Sequence, residues 1–512
     1  MAQRKPIFLS KSKLIAFNQC ARRLWLEIHR SELRVDSAAA QRAFGVGHSV
    51  GDLARREYPD GILIGPADPD QKIDWPQVFA DTAATLALTP RRPIFEATCR
   101  YAGVLIRADL LIPKDEGWHM AEVKSSTSVK DYHVDDVAIQ TWVMRNAGVD
   151  VSTVELRHID NQFVYPGDDQ YAGLFRAGDV QDRVEALQAE VPRWINDARV
   201  VAAGCEPAIA MGAHCRKPYE CPFQGYCAAL AGMPPEYPLD ILPNQKGKAL
   251  AAQLAAEGYR DLREVPAERI TDPALALIRD VTVSGAPYVD LAGARDDLAD
   301  CGYPRFSFDF ETIEFGIPIW KGTRPYEEIP FQWSCHVERS PGTFEHAAFL
   351  DLSGNDPSRA CAEALLQALE TTGPIFAYNA GFERGILTKL ADRFPDLAPA
   401  LRTLCDRLID PLPIIRQRYY HPDMRGSRSI KDVLPTIAPD LDYAQLDGVQ
   451  EGLGAGDAFL EAIAPGTSQE RRSEIERQLL TYCARDTWAV LVLIWFLEGR
   501  GRPGTIPDAR ST

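Results

Sequence analysis

Cys215-Arg-Lys-Pro-Tyr-Glu-Cys221-Pro-Phe-Gln-Gly-Tyr-Cys227, with a distant partner in Phe17-Asn-Gln-Cys20-Ala-Arg-Arg, brackets the first half of the chain. Three cysteines at six-residue steps among Gly and Pro lie in a turn-rich segment where side chains can converge on one point. That is how ligands are placed. Isolated free cysteines are ordinarily small buried hydrophobes, which suits Cys99, Cys301, Cys335, Cys361, Cys405 and Cys483 in their apolar segments. Structural zinc favours cysteine pairs two to four residues apart, whereas iron–sulfur clusters accept wider spacing. A disulfide framework suits neither a 512-residue chain, nor eleven cysteines, nor a start without a secretory segment. The spacing ranks an iron–sulfur cluster first, zinc second and disulfides third.

Inside the bracket, residues 10–30 read as one helix opened by Ser10 or Ser12 and containing Cys20, and residues 36–57 as a second helix containing His48. Strand-like runs follow at Pro93–Thr98, Gly103–Ile112 and Trp118–Lys124. The second carries Asp109, and the third ends in Glu122-Val123-Lys124. An acid in an apolar strand is costly unless it is paired or bound to metal, and two on adjacent strands need a shared explanation. Strand alternation puts Glu122 and Lys124 on one face, which is also what a plain structural ion pair would give. Residues 170–203 read as an amphipathic helix leading into the cysteine loop.

Asp109, then Glu122-Val123-Lys124, with His48 upstream and Gln140 in Asp136-Val-Ala-Ile-Gln140, resembles the PD-(D/E)xK nuclease core of the RecB type over about residues 10–230. One upstream and three downstream cysteines resemble that family's iron–sulfur branch, which includes the CRISPR-associated four-cysteine nucleases. The resemblance implies that Cys20, Cys215, Cys221 and Cys227 hold a structural 4Fe-4S cluster fastening the start of the domain to its end. It implies that Asp109 and Glu122, hard oxygen ligands, hold Mg²⁺ or Mn²⁺, with His48 a further ligand. Lys124 would position or deprotonate the attacking water, and Gln140 would steady the site. Members often carry Tyr four residues after the Gln; here Met144 stands there.

Gly232-Met-Pro-Pro-Glu-Tyr-Pro marks a boundary. Beyond it, residues 233–300 are expected to form a helical connector, with a second possibility of a helix-hairpin-helix element. No phosphate-cradling Gly-x-x-x-x-Gly-Lys-Ser/Thr occurs, so any unwinding would come from a helicase partner. Arg305-Phe-Ser-Phe-Asp309-Phe-Glu311 alternates, placing the aromatics on one face and the acids on the other, as an edge strand facing solvent also would. Asn379 and Glu383 follow a strand into a helix, and Tyr482 and Asp486 share the face of a late apolar helix. In this order they resemble the three motifs of DEDD-type 3′–5′ exonucleases on the ribonuclease H-like fold, over about 300–498. That likeness implies Asp309, Glu311 and Asp486 as ligands of two metals, Glu383 in place of the usual Asp, and Tyr482 orienting water. The basic, aromatic stretch Arg416–Lys431 is either a strand-binding surface or an ordinary polar connection.

The expected architecture is therefore α/β multidomain: a PD-(D/E)xK restriction-endonuclease-like domain at 1–232, the connector at 233–300, a ribonuclease H-like exonuclease domain at 301–498 and a flexible tail at 499–512. The expected activity is metal-dependent cleavage of DNA, single-stranded or at ends, in repair, recombination or defence; RNA stays open. A binding subunit with inactive nuclease folds is the alternative. The charge of −16 excludes a broadly basic surface but not local patches, and residues 1–60 carry eleven Lys and Arg against six Asp and Glu. No run of about 18 apolar residues occurs, which predicts no membrane span and a cytoplasmic protein.

Overall fold

The apolar runs around Asp109 and Glu122 form neighbouring strands of one mixed sheet. The structure is a computed structural model that describes residues 8–68, 71–441, 443, 446, 448–449, 452–501 and 510–511. The chain divides into two units, Met1–Met233 with Phe315–Glu327, and Pro234–Glu314 with Glu328–Thr512.

In unit 1 the order is β1 (Leu9–Ser10), α1 (Lys11–Gln19), α2 (Ala21–His29), α3 (Ala38–Arg56), β2 (Ile62–Leu63), α4 (Trp75–Leu86), β3 (Ile94–Tyr101), β4 (Val104–Pro113) and β5 (Trp118–Lys124). There follow α5 (Asp131–Asn146), β6 (Val151–Ile159), β7 (Phe175–Asp179), α6 (Gln181–Leu187), α7 (Val191–Ala203) and α8 (Gln224–Ala231). The sheet runs β2-β3-β4-β5-β6-β7, with β1 parallel to the start of β4. β5 and β6 are parallel and joined through α5, which buries Val137, Ile139 and Val143 together with the polar Asp136 and Gln140.

Three expectations change here. Residues 10–30 are two helices, because Cys20 is extended (φ −163°, ψ 121°) and serves as the end of α1 and the start of α2. Residues 170–203 are a strand and two helices, since Phe175–Asp179 pairs antiparallel with β6 before α6 begins. The segment 315–327, expected within the second domain, belongs to unit 1, where Tyr165 donates its N–H to Thr323 and Tyr326 donates its hydroxyl to the Ser125 carbonyl.

Unit 2 comprises α9 (Asn244–Ala256), α10 (Pro273–Ser284), β8 (Tyr288–Val289), α11 (Leu291–Asp297), β9 (Arg305–Ile313), β10 (Ile329–Ser340), β11 (Thr343–Leu350), α12 (Ser358–Ala368), β12 (Ile375–Phe376), α13 (Gly381–Arg393) and α14 (Ala398–Arg407). It continues with β13 (Leu408–Ile409), α15 (Leu412–Arg418), β14 (Tyr419–Tyr420), α16 (Ile430–Ile437), α17 (Gly452–Ile463), α18 (Gln469–Leu497) and β15 (Arg510–Ser511). Its sheet order is β13-β12-β9-β10-β11-β15, with β9, β10 and β11 an antiparallel meander. β9 is therefore central and not an edge. Phe306, Phe308 and Phe310 join a core with α12–α14, and its acid-bearing face meets α18. α18 is long and apolar enough by length and composition to cross a membrane, but 72% of that apolar window is buried inside the fold.

Residues 233–300, expected as a connector, share one core with the rest of unit 2: Leu254, Leu262 and Ile278 pack in the cluster that holds Tyr420, Val433 and Ile494. The stretch 416–431 is not a stacking platform. Tyr419 and Tyr420 are buried in β14 beside β8, and Arg418 is bound by Asp290 and Asp297. The tail expected to be flexible carries β15, parallel to β11; residues 502–509 lie outside the described residues. Gly426 tests the shared core. It has φ 81°, and a Cβ there would clash with the Ile241 carbonyl. Gly426→Ala is expected to destabilise unit 2 by about 2 kcal/mol or more, since both left-handed strain and overlap oppose it. Denaturant unfolding checks this, and an unchanged midpoint would separate 233–300 from that core.

Candidate metal centres and the four-cysteine site

The register of β3, β4 and β5 aligns three acids. Phe95 pairs with Leu110 and Ala97 with Ala108, placing Glu96 across from Asp109; Leu110 pairs with Ala121, placing Asp109 across from Glu122. Asp109 accepts the Val123 N–H at 2.7 Å. Glu122, 2% exposed, has both oxygens engaged: Oε1 takes Lys124 Nζ at 2.7 Å and Lys11 Nζ at 2.8 Å, and Oε2 takes Gln140 Nε2 at 2.8 Å. Asp136, one helical turn before Gln140, takes Lys124 Nζ at 2.7 Å and Gln140 Nε2 at 3.2 Å.

Burial raises Asp109, while for Glu122 the pull of Lys11 and Lys124 outweighs burial and the charge of Asp109 and leaves it below its usual range. Lys124 is held well above the ordinary lysine value: burial opposes its charge, but Asp136, Glu122 and Asp109 prevail. The arrangement as it stands favours its ammonium form.

Asp109, Glu122, Lys124 and Gln140 are thus gathered at one end of the sheet. His48 is exposed on α3, and His48, Asp109 and Glu122 are not drawn within 4.8 Å of one another. Lys11, Asp136 and Glu96 were missed. Glu96 offered the same signal as Asp109, a lone acid in an apolar strand, and Asp136 lies four residues before Gln140 on one helix face. Nothing in the local sequence of Lys11 points to a site more than a hundred residues away. Met144 is fully buried in the core.

In unit 2 a second group of acids converges. One ligand atom each from Asp309, Glu311 and Cys483 lies within 4.8 Å of the others, the only such set of three among the described residues. Glu383, in the first turn of α13, is hydrogen-bonded to Asp309, and its Oε2 is buried without a partner. Asp486 accepts from Tyr443 at 2.6 Å and is hydrogen-bonded to Tyr482, whose hydroxyl receives Lys431 Nζ at 3.2 Å. The Lys431 ammonium also lies over the rings of Tyr443 and Tyr482, 5.1 and 5.2 Å from their centres.

All five expected residues, Asp309, Glu311, Glu383, Tyr482 and Asp486, belong to this cluster. Tyr443, Lys431 and Cys483 were missed. Cys483 reads as a core thiol in an apolar helix, yet its place next to Tyr482 and three before Asp486 puts it on their face. Asn379 turns the chain with φ 63° and gives its N–H to Asp410, a further acid acting on Glu383.

Burial and mutual repulsion dominate here. Burial, with the charge of Asp486, pushes Glu311 up to about 8, against Lys431. Burial pushes Glu383 up to about 7 and Asp486 up to about 6, and Asp309 is raised well above its usual value by burial and its three acidic neighbours. Such crowding suits a divalent cation, which replaces shared protons by a fixed charge.

Cys20, Cys215, Cys221 and Cys227 line one small cavity, with Arg22 and Arg23 beside them. Gln19 holds the loop in place by donating to the carbonyls of His214, Lys217 and Tyr219, and Arg22 donates to those of Pro207 and Ile209. Burial pushes the Cys221 and Cys227 thiols up, and Arg23 and Arg22 respectively pull them back. No three of the four sulfurs lie within 4.8 Å of one another, whereas a tetrahedral ion bonded at about 2.3 Å needs sulfurs about 3.8 Å apart.

Residues 306–429 match a family described as a domain of unknown function (DUF2779). No curated protein matches the chain.

The raised acids give a signed pH effect. A carboxyl whose folded pKa lies above its unfolded value near about 4.3 binds its proton more tightly when folded, so its stabilisation is complete below that value and is lost as pH climbs through the folded pKa. With Glu311 near 8 and Glu383 near 7, the melting temperature of unit 2 in EDTA is expected to fall by several degrees as pH rises from about 5 to about 8, the interval between the unfolded and folded values. Mn²⁺ or Glu311→Gln should flatten that fall. A flat profile in EDTA would contradict the crowding.

Proposed function

We propose that the chain is a metal-dependent DNA nuclease with two sites, a PD-(D/E)xK-like one in unit 1 and a DEDD-like one in unit 2, the first fastened by an iron–sulfur cluster. The observation that carries this reading is the buried convergence of Asp309, Glu311, Glu383 and Asp486 from β9, α13 and α18, acids that a fold has little reason to crowd unless a cation joins them. In unit 1 the Asp109, Glu122, Lys124, Gln140 group supports the same chemistry independently.

Divalent cations at such oxygens activate water and neutralise charge gathering on a phosphate. Asp109 and Glu122 in unit 1, and Asp309, Glu311 and Asp486 in unit 2, are the residues that would hold them. Lys124 stays an ammonium and offsets the negative charge of an attacked phosphodiester. Tyr482, kept a phenol by burial and by Asp486, gives its proton to Asp486 and would orient a water through its hydroxyl oxygen. Gln140 holds Glu122 and Asp136 in register.

The wide placement of the four sulfurs favours a polynuclear cluster over a single zinc ion. Cys221→Ala is expected to lose the iron, the visible absorption of the anaerobic protein and several degrees of thermal stability; stoichiometric zinc without iron in the wild-type protein would favour zinc instead.

The decisive assay incubates the purified chain with end-labelled DNA and RNA under Mg²⁺ and Mn²⁺. Lys124→Ala and Asp309→Ala are each expected to remove one separable activity by about 10²-fold or more. DNA degradation unchanged in the double variant would overturn the assignment. Retention of DNA in EDTA with no cleavage under either metal would favour a binding subunit.

A further inference from the structure

The first site contains a cation already. Lys11 is the opening residue of α1, and its position is fixed from both sides: Leu9–Ser10 pairs with Val104–Leu105, and Ser10 caps the helix by accepting from the Lys13 N–H. From there its ammonium reaches Glu122 Oε1 at 2.8 Å and lies 3.6 Å from Asp136 Oδ1. Glu122 has no oxygen to spare, because Lys124 shares Oε1 and Gln140 holds Oε2. The two lysines are unequal. Lys124 grips two carboxylates at 2.7 Å each, whereas Lys11 grips one and only approaches the other. Gln140 Oε1, on a side chain fully buried beside these groups, has no hydrogen-bond partner, so the site keeps an unused hard oxygen acceptor.

We infer that Lys11 is a resident counter-cation of the first site: a divalent ion reaching Glu122 must displace its ammonium, and the displaced ammonium then serves as a contact for a phosphate oxygen of the substrate. This rests on the proposed metal site of unit 1. Lys11 is a positioning residue in this scheme, setting how tightly the site holds metal without substrate. An ammonium bound to a carboxylate at hydrogen-bond distance is worth enough that its removal changes a competing equilibrium by about tenfold or more.

The test reads metal binding directly. Mn²⁺ affinity is measured by electron paramagnetic resonance in the full chain carrying Asp309→Asn, which removes a ligand of the second site. On that background Lys11→Met is expected to bind Mn²⁺ about tenfold more tightly and to cleave DNA more slowly at saturating Mn²⁺. Lys11→Arg, which keeps the charge, should stay near the wild-type affinity. Lys11→Gln gives a second uncharged variant should Lys11→Met fail to fold by circular dichroism. Unchanged or weaker Mn²⁺ binding in a folded uncharged variant overturns the inference. Glu122→Gln separates the two levels: if it abolishes Mn²⁺ binding while Lys11→Met leaves affinity unchanged, only the role of Lys11 fails, and if binding survives Glu122→Gln, the metal site itself fails.

Discussion

Burying carboxylates is the constraint on which both units are built, and each meets it differently. A lone ionised carboxylate inside a protein is too costly to persist and must be paired, protonated or metal-bound. In unit 1, Asp109, Glu122 and Asp136 are met by two ammonium groups and an amide, so the charge is largely balanced by side chains. In unit 2, the acids lean on one another through shared protons, with Lys431 and Arg485 acting from the side. On the proposed reading a cation would enter the first site by displacing an ammonium and the second by displacing protons. The two sites should respond to pH and to ionic competition in different ways although their ligands are chemically alike.

The cysteine loop adds a mechanical element to the first solution. α1 carries Lys11 at its start and ends at Cys20, where the backbone turns extended. Gln19, one residue before, is locked to three carbonyls of the loop that bears Cys215 and lies next to Cys221. The helix thus spans from the carboxylates to the thiols, about 1.5 Å per residue over a short rod. Whatever fills the cavity of the four sulfurs fixes one end of the element whose other end fills the acid site. Breaking the expected single helix at Cys20 is what allows this, since an unbroken helix would not turn the Cys20 backbone extended between α1 and α2.

How much of this was legible follows from the range of each signal. Strand-like runs gave β3, β4 and β5, and alternation gave β9, each to within about three residues at its ends, because such patterns are local. Asp309, Glu311, Tyr482 and Asp486 were visible as short motifs on such elements. Lys11, Lys431 and Tyr443 were not, because each reaches its site from an element whose own pattern is ordinary; only the packing of α1 and of the segment around α16 decides where they point. Cys483 was hidden by its surroundings: in a helix as apolar as α18, one thiol looks like any other small buried residue. Residues 233–300 misled for a related reason. Their helices are short and Pro-bounded, which reads as a connector, but their apolar faces are completed by Tyr420, Val433 and Ile494 far along the chain.

The protonation of Lys124 and of Tyr482 bears on what each site can do. Lys124 is tied to Glu122 and Asp136 and held well above its ordinary pKa, and Tyr482 is held as a phenol. Both are thus suited to positioning in the metal-free arrangement. In unit 2 Glu383, near 7, and Asp486, near 6, and in unit 1 Asp109, raised by burial and next to Glu96, hold their protons more tightly than ordinary carboxyls do. On the proposed reading a cation would release those protons, so metal and protons compete for the same oxygens, and one physical cause, the burial of crowded carboxylates, underlies both.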